Sequence, residues 1–169
     1  MSRATTALAL AAALATAAAG LAAPALADQR VAVPGFEFTD GSGEVRDQRA
    51  AHTAQLALFD ETLRAMLEEG GLDVAVPDCN GPCSPDGTSF EAMAAATRAT
   101  GSNLLLVGAL HKISTLIGTI RVTLIDLDAD KTICIRSLTY RGDDAEAWTR
   151  AAEFTASDVL KACFGGATS

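Results

Sequence analysis

Asn103–Arg141 reads NLLLVGALHKISTLIGTIRVTLIDLDADKTICIRSLTYR, and this stretch decides the fold. Leu104-Leu105-Leu106-Val107 is apolar at consecutive positions, so a strand over Asn103–Ile113 is covered on both faces and lies centrally in its sheet. Over Ile117–Leu127 the pattern alternates. Ile120, Val122 and Leu124 share one face, Arg121 and Thr123 the other, which is a strand with one buried side. Asp128-Ala129-Asp130 makes a tight turn, and Lys131–Arg141 is a third strand. Connections this short join antiparallel neighbours, so the three strands form a meander.

Upstream, Arg30–Phe38 (RVAVPGFEF) reads as a first strand that Pro34-Gly35 bulges or ends early. A polar, Gly-rich loop covers Thr39–Asp47. Leu56, Phe59, Leu63 and Met66 then recur every three or four residues, with His52 one turn earlier on the same stripe, so Gln48–Glu69 is an amphipathic helix stopped by Gly70-Gly71. Leu72–Pro77 is a short strand. Asp78–Gly87 is a loop, and Thr88 with Glu91 fits a capping box that opens a helix over Ser89–Thr100. Trp148, Ala152, Thr155, Val159 and Cys163 stripe a final helix over Asp143–Phe164. The order is β-α-β-α-β-β-β-α. It predicts an α+β domain, an α/β sandwich with a mixed sheet of about five strands and helices packed on it.

Residues 1–27 have the composition of a secretory signal: Arg3, an Ala- and Leu-rich run, then Ala25-Leu26-Ala27 before the polar Asp28. The run is too Ala-rich and too short for a membrane span. The expectation is a periplasmic or secreted protein beginning at Asp28, with 28–169 as a single domain and no membrane span after cleavage. Only Arg3 of the 13 Lys and Arg lies in the leader, which leaves 12 against 21 acidic residues, a balance of −9. No basic footprint for nucleic acid or for an anionic membrane surface exists in such a chain.

All four Cys lie beyond the leader. The Asn-Gly-Pro interior of Cys79–Cys83 is turn chemistry that lets the chain double back onto a disulfide. Cys134 and Cys163 are left as a second pair or as two buried thiols. The Cys79–Cys83 clip has three intervening residues and precedes its helix by several, unlike a thioredoxin-type redox pair, so a static clip is favoured over a redox or metal-handling role. Zinc lacks a second close ligand pair. Asp126-Leu127-Asp128-Ala129-Asp130 opens like a calcium loop, but Lys131 and Ser137 stand where Gly and Glu are needed. His52 and His111 lie near no nucleophile elbow, and Gly41-Ser42-Gly43 lacks the spacing and the Lys of a phosphate loop. No catalytic residue, metal or cofactor is expected.

The chain resembles uncharacterised families of predicted secreted bacterial proteins. Gly108, Lys112, Ser114 and Leu116 match their Gly-x-x-x-Lys-x-Ser-x-Leu stretch, and Arg141, Gly142 and Trp148 match a later Arg-Gly…Trp stretch. The position three before that Trp, where an acidic residue is expected, is Ala145. The element order, and Val31–Phe38 followed by a Gly-containing loop, are similar to the amino-terminal domain of the Tol-system propeller protein and to the curli-secretion lipoprotein. The resemblance implies an envelope domain without assigned activity. The expected role is an accessory or adaptor that binds another envelope protein, with Lys112, Ser114, Arg141 and Trp148 as the candidate patch. Its alternatives are thiol-redox or metal handling by Cys79 and Cys83, and small-ligand binding near Arg141 and Trp148.

Overall fold

The computed structural model describes residues 29–165. The expected leader lies outside them. Six strands form one mixed sheet: β1 (Arg30–Ala32), β2 (Glu37–Asp40), β3 (Asp73–Ala75), β4 (Leu104–Lys112), β5 (Ile117–Asp126) and β6 (Lys131–Arg141). The order is β3-β1-β4-β5-β6, with β2 also paired to β4. β1 is parallel to β3 and β4, β2 is parallel to β4, and β4-β5-β6 is the antiparallel meander. α1 (Arg49–Glu69) and α3 (Ala145–Val159, continued by a π turn over Leu160–Phe164) pack on one face, and α2 (Phe90–Ala99) packs on the other.

The sheet has six strands because the expected first strand splits in two. Its main-chain groups show why. Val33 N–H donates to Ala75 O at 2.9 Å, and Pro34 has no N–H to give. Gly35 N–H then donates to Cys83 O at 2.8 Å, and Phe36 N–H reaches both Asp60 carboxylate oxygens at 3.2 and 3.3 Å. Each donor is satisfied, but by three different segments, so the ladder to β4 is interrupted and resumes at Glu37 opposite Ala109. The Asp60 carboxyl is pushed up to about 6, because burial outweighs the amide and the nearby Arg64.

The cap of α2 is also corrected. Ser89, not Thr88, caps the helix, its hydroxyl accepting from Ala92 N–H at 3.3 Å, while Thr88 Oγ1 donates to Pro82 O at 2.6 Å. The hydroxyl one residue earlier is taken by the loop that folds back beneath it.

The main core lies between the sheet and the α1/α3 layer. Phe59, Leu63 and Leu67 of α1, Trp148, Ala152, Ala156 and Val159 of α3, and Leu106, Leu110, Ile120, Val122 and Leu124 of the sheet form it. Met93, Ala94, Leu105 and Leu127 form a smaller core under α2, and Cys79 and Cys83 pack against it. So β4 is covered on both sides where it is apolar on both sides. Both disulfides are present, Cys79–Cys83 and Cys134–Cys163, the second tying β6 to the π turn beyond α3.

Candidate functional site

In β4, Leu106, Leu110 and Lys112 are separated by even numbers of residues and turn to the same face, the inner one. Lys112 is therefore only 2 % exposed. Opposite it on β5 stands Gly118, and opposite that on β6 stands Tyr140. A Cβ on Gly118 would sit 2.3 Å from the Tyr140 ring, so the missing side chain is what lets the ring lie across β5 toward Lys112.

Carboxylates from three other segments converge on the ammonium. Lys112 Nζ donates to Glu44 Oε2 of the Gly-rich loop, to Asp143 Oδ2 at the entry to α3 and to Gln48 Oε1 at 2.7 Å. Asp40 Oδ2, at the end of β2, stands 3.9 Å away. His52 of α1 closes the group: Nε2 lies 3.2 Å from both Asp143 oxygens, and Nδ1 lies 3.7 Å from Asp40. Gln55 Nε2 donates to the Asp143 carbonyl at 3.0 Å. Burial pulls the Lys112 ammonium down, but the bonds from Asp143 and Glu44 outweigh it and the net shift is up. Glu44 is lowered chiefly by its bond to Lys112, and Asp40 chiefly by Ser42, whose N–H donates to it at 2.9 Å.

The group sits at the carboxyl ends of the parallel strands β2 and β4, where α/β sheets place their crevices. The first turns of α1 and α3 are at the same end, and their exposed amides favour the carboxylates there. Behind it, Phe38, His52, Tyr140 and Trp148 form an aromatic cluster with ring centroids 4.8–6.2 Å apart. In front is a cleft of about 500 Å3 lined by Phe38, Asp40, Arg46, Gln48, His52 and Leu56 among others.

The four residues of the expected patch do not share a surface. Lys112 and Trp148 are interior, Trp148 fully so. Ser114 lies in the β4–β5 turn, where its N–H donates to Ile117 O at 3.1 Å, and Arg141 is exposed on the opposite face from Lys112. Sequence reasoning missed Asp40, Glu44, Gln48 and Asp143 as partners of Lys112. One signal was present: the even spacing from Leu106 and Leu110 places Lys112 inside, and a buried ammonium requires carboxylates.

The outer faces of β5 and β6 are different. The register puts Ile117, Thr119, Arg121, Thr123 and Ile125 beside Arg141, Thr139, Ser137 and Ile135. Ile135 is 49 % exposed and Ile117 is 40 %. The outward positions on these two strands carry two arginines and no carboxylate. Neither Arg121 nor Arg141 forms an ion pair among the described residues. In the β5–β6 turn, Asp126 Oδ1 accepts from Asp128 and Ala129 N–H at 2.9 and 3.0 Å, as a turn residue does.

Comparison with known proteins places the chain in a family. Residues 29–160 match the family model DUF3280, described as "Protein of unknown function (DUF2380)". The chain belongs to this family. No curated protein matches it. Among solved structures it is similar to the PelC dodecamer from Paraburkholderia phytofirmans, at 14 % identity over 80 % of this chain and 87 % of that one, with a TM-score of 0.53. It also aligns with TolB from Acinetobacter baumannii at 14 % identity over 81 % of this chain and 28 % of that one, TM-score 0.47. The LpoB C-terminal domain from Salmonella enterica aligns at 14 % identity over 66 % and 81 %, TM-score 0.37. The likeness to PelC is one of fold. No helix among the described residues is long and apolar enough to cross a membrane.

Proposed function

We propose that this family member is a non-enzymatic accessory domain of the cell envelope that binds another envelope protein. The observation that carries the reading is the part of the outer face of β5 and β6 that α2 does not cover, where Arg121 and Arg141 form no ion pair among the described residues and stand among exposed Ile and Thr side chains. Arg and large apolar groups are the types that anchor interfaces. The buried cluster supports the same reading from the other side. Lys112, Glu44, Asp143 and His52 are engaged with one another, which suits a clasp that fastens the Gly-rich loop and the entry of α3 to the sheet. The Cys79–Cys83 loop fits a structural role too, since its Cys83 carbonyl holds Gly35 N–H.

Arg141→Ala tests the proposal. An exposed side chain contributes within about 0.5 kcal/mol to folding but more than about 1 kcal/mol at an interface. The variant keeps its melting temperature and captures less partner from periplasmic extract. Unchanged capture removes Arg141 from the surface, and unfolding makes it structural. A second reading, small-ligand binding, is favoured by the cleft beside Asp40 and His52, with Phe38 and Leu56 as apolar walls. It predicts that His52→Ala alters ligand capture while Arg141→Ala does not.

A further inference from the structure

β6 is the last strand of the sheet, and no described element pairs with its far edge. Its hydrogen-bond phase can be fixed. Gly142 N–H donates to Leu116 O at 3.1 Å, so these two face each other as a hydrogen-bonded pair. Antiparallel ladders alternate. Tyr140, Leu138, Arg136 and Cys134 therefore direct their main-chain groups to β5, while Arg141, Thr139, Ser137 and Ile135 direct theirs to the open edge. The β4–β5 hairpin agrees: Ile113 N–H donates to Ile117 O at 2.9 Å, which turns the odd-numbered residues of β5 to β4 and leaves the even ones for β6. The residues with free N–H and C=O are thus the same ones whose side chains lie on the uncovered face.

Natural edges of this length are usually blunted by covering, proline or inward charge. β6 spans eleven residues, has no proline and exposes Ile133 and Ile135. Its one inward charge, Arg136, is answered by Asp158 of α3, and the bulge opposite Leu124 and Ile125 lies near its start, which leaves the Ile135–Arg141 edge regular. Its charge is also distinctive. In a chain of net charge −8, β6 carries Lys131, Arg136 and Arg141 and no acidic residue. Arg136 is neutralised by Asp158 at 2.6 and 2.9 Å, but Arg141 and its neighbour Arg121 on β5 form no ion pair among the described residues. A second copy is a poor occupant. Pairing two β6 strands antiparallel over their whole length sets Arg136 against Arg136 and Lys131 against Arg141 twice, and like charges directly opposite destabilise a pair.

We infer that the open edge of β6 accepts an extended, acidic segment of another polypeptide by strand addition, with its carboxylates set toward Arg121 and Arg141. This rests on the adaptor reading and names its contact. Main-chain hydrogen bonds to Ile135, Ser137, Thr139 and Arg141 supply the affinity, and the two arginines select the acidic strand.

The test uses two short synthetic peptides, one alternating Val or Thr with Glu and its twin with Lys for Glu, added to the mature chain at low salt. The Glu peptide slows amide hydrogen exchange at Ile135, Ser137, Thr139 and Arg141 by about fivefold or more and leaves Leu138 and Tyr140 unchanged, since the latter already bond to β5. The Lys twin does neither. Ser137→Pro removes one edge donor while sparing the β5 ladder, and weakens the Glu peptide by about tenfold. A Glu peptide N-methylated at alternate residues is equally weakened on the unaltered protein, which keeps the test sound if the proline variant does not fold. Arg121→Glu with Arg141→Glu inverts the preference between the peptides. Equal binding of the two peptides by the unaltered protein, no binding of the Glu peptide, or binding without protection of the four edge amides overturns the inference. Capture from envelope extract tests the underlying reading separately. A partner held equally by the unaltered and Ser137→Pro proteins keeps the adaptor reading and overturns strand addition. Edge protection by the Glu peptide with no partner captured keeps strand addition and removes the adaptor reading.

Discussion

Replacing Lys112 with Met removes a buried ammonium and leaves its stem. Met fills most of the volume, so the loss is electrostatic rather than a cavity. Glu44, Asp143 and Asp40 then face one another without the cation that Lys112 supplies to all three. Breaking a buried ion pair from one side costs about 3–5 kcal/mol. Asp143 and Glu44 keep 14 % and 24 % of their side-chain exposure, so water relieves part of the loss and the low end, about 3 kcal/mol, is expected. For a chain of this size, with a urea slope of about 1.5–2 kcal/mol per molar, the unfolding midpoint falls by roughly 1.5–2 M. Far-UV circular dichroism before the transition stays unchanged, because no helix or strand depends on the ammonium for its own hydrogen bonds.

The pH dependence separates this account from simple loss of packing. Glu44 is held below its ordinary value in the folded protein chiefly by its bond to Lys112, and Lys112 adds a smaller pull on Asp40, which Ser42 lowers first. A depressed carboxylate contributes stability that is present above its unfolded value, about 4, and is lost as pH falls through the lower folded one. The gap between wild type and Lys112→Met is therefore full at neutral pH and closes as pH drops below about 4. Adding Glu44→Gln and Asp143→Asn to Lys112→Met recovers much of the midpoint, since like charges no longer confront each other. A single variant that unfolds at the wild-type urea concentration, or a gap that persists unchanged at low pH, would refute the clasp.

Three further changes follow from the same structure. Asp60 is raised to about 6 by burial, so its ionisation opposes folding: stability on this account falls as pH rises from about 4 through 6, and Asp60→Asn is more stable than wild type at pH 8, by about 1–2 kcal/mol, but not at pH 4, as urea melts at the two pH values show. Gly108→Ala puts a Cβ 2.1 Å from the Phe36 ring and lowers stability by about 1–3 kcal/mol in a thermal melt. Cys134→Ser with Cys163→Ser opens a loop with a sequence separation of 29 and costs about 3.5 kcal/mol on the chain-entropy account, against about 2 kcal/mol for the separation of 4 between Cys79 and Cys83.

The meander was legible because its signals are local. Expected strands at 103–113, 117–127 and 131–141 fall within one residue of Leu104–Lys112, Ile117–Asp126 and Lys131–Arg141 at each end, since alternation and turn residues carry that information. The helices were legible for the same reason, their stripes being the faces the sheet receives. What failed to show was decided by partners distant in sequence. Pro34 announced an interruption, but the acceptor of Gly35 N–H is Cys83 and that of Phe36 N–H is Asp60. Thr88 was the expected cap, but the Pro82 carbonyl takes its hydroxyl and Ser89 caps the helix instead. The candidate patch failed as a surface because two of its members, chosen for chemistry and for position near the sheet rim, point into the protein. Strand parity was the available guide, and it applies to Lys112 as it does to Leu110.

Lys112 and Arg141 show how one end of this sheet performs two tasks. Lys112, Gly118 and Tyr140 are register neighbours across three strands, and Arg141 is the next residue along β6. One step on a strand reverses the face. Lys112 is thereby enclosed among three carboxylates, its charge answered within the fold, and the loop and helix that supply those carboxylates are fastened by it. Among the described residues Arg141 forms no ion pair, and its charge is left for the outside. Exposed Arg30, Arg49 and Arg150 are paired with carboxylates, whereas Arg121 and Arg141 form no ion pair among the described residues, so the two faces should separate in experiment: stability should follow the inner lysine, and partner selection these two outer arginines. A variant of Arg141 that lowers the urea midpoint as far as Lys112→Met does would show that the faces are coupled, and the division argued here would fail with it.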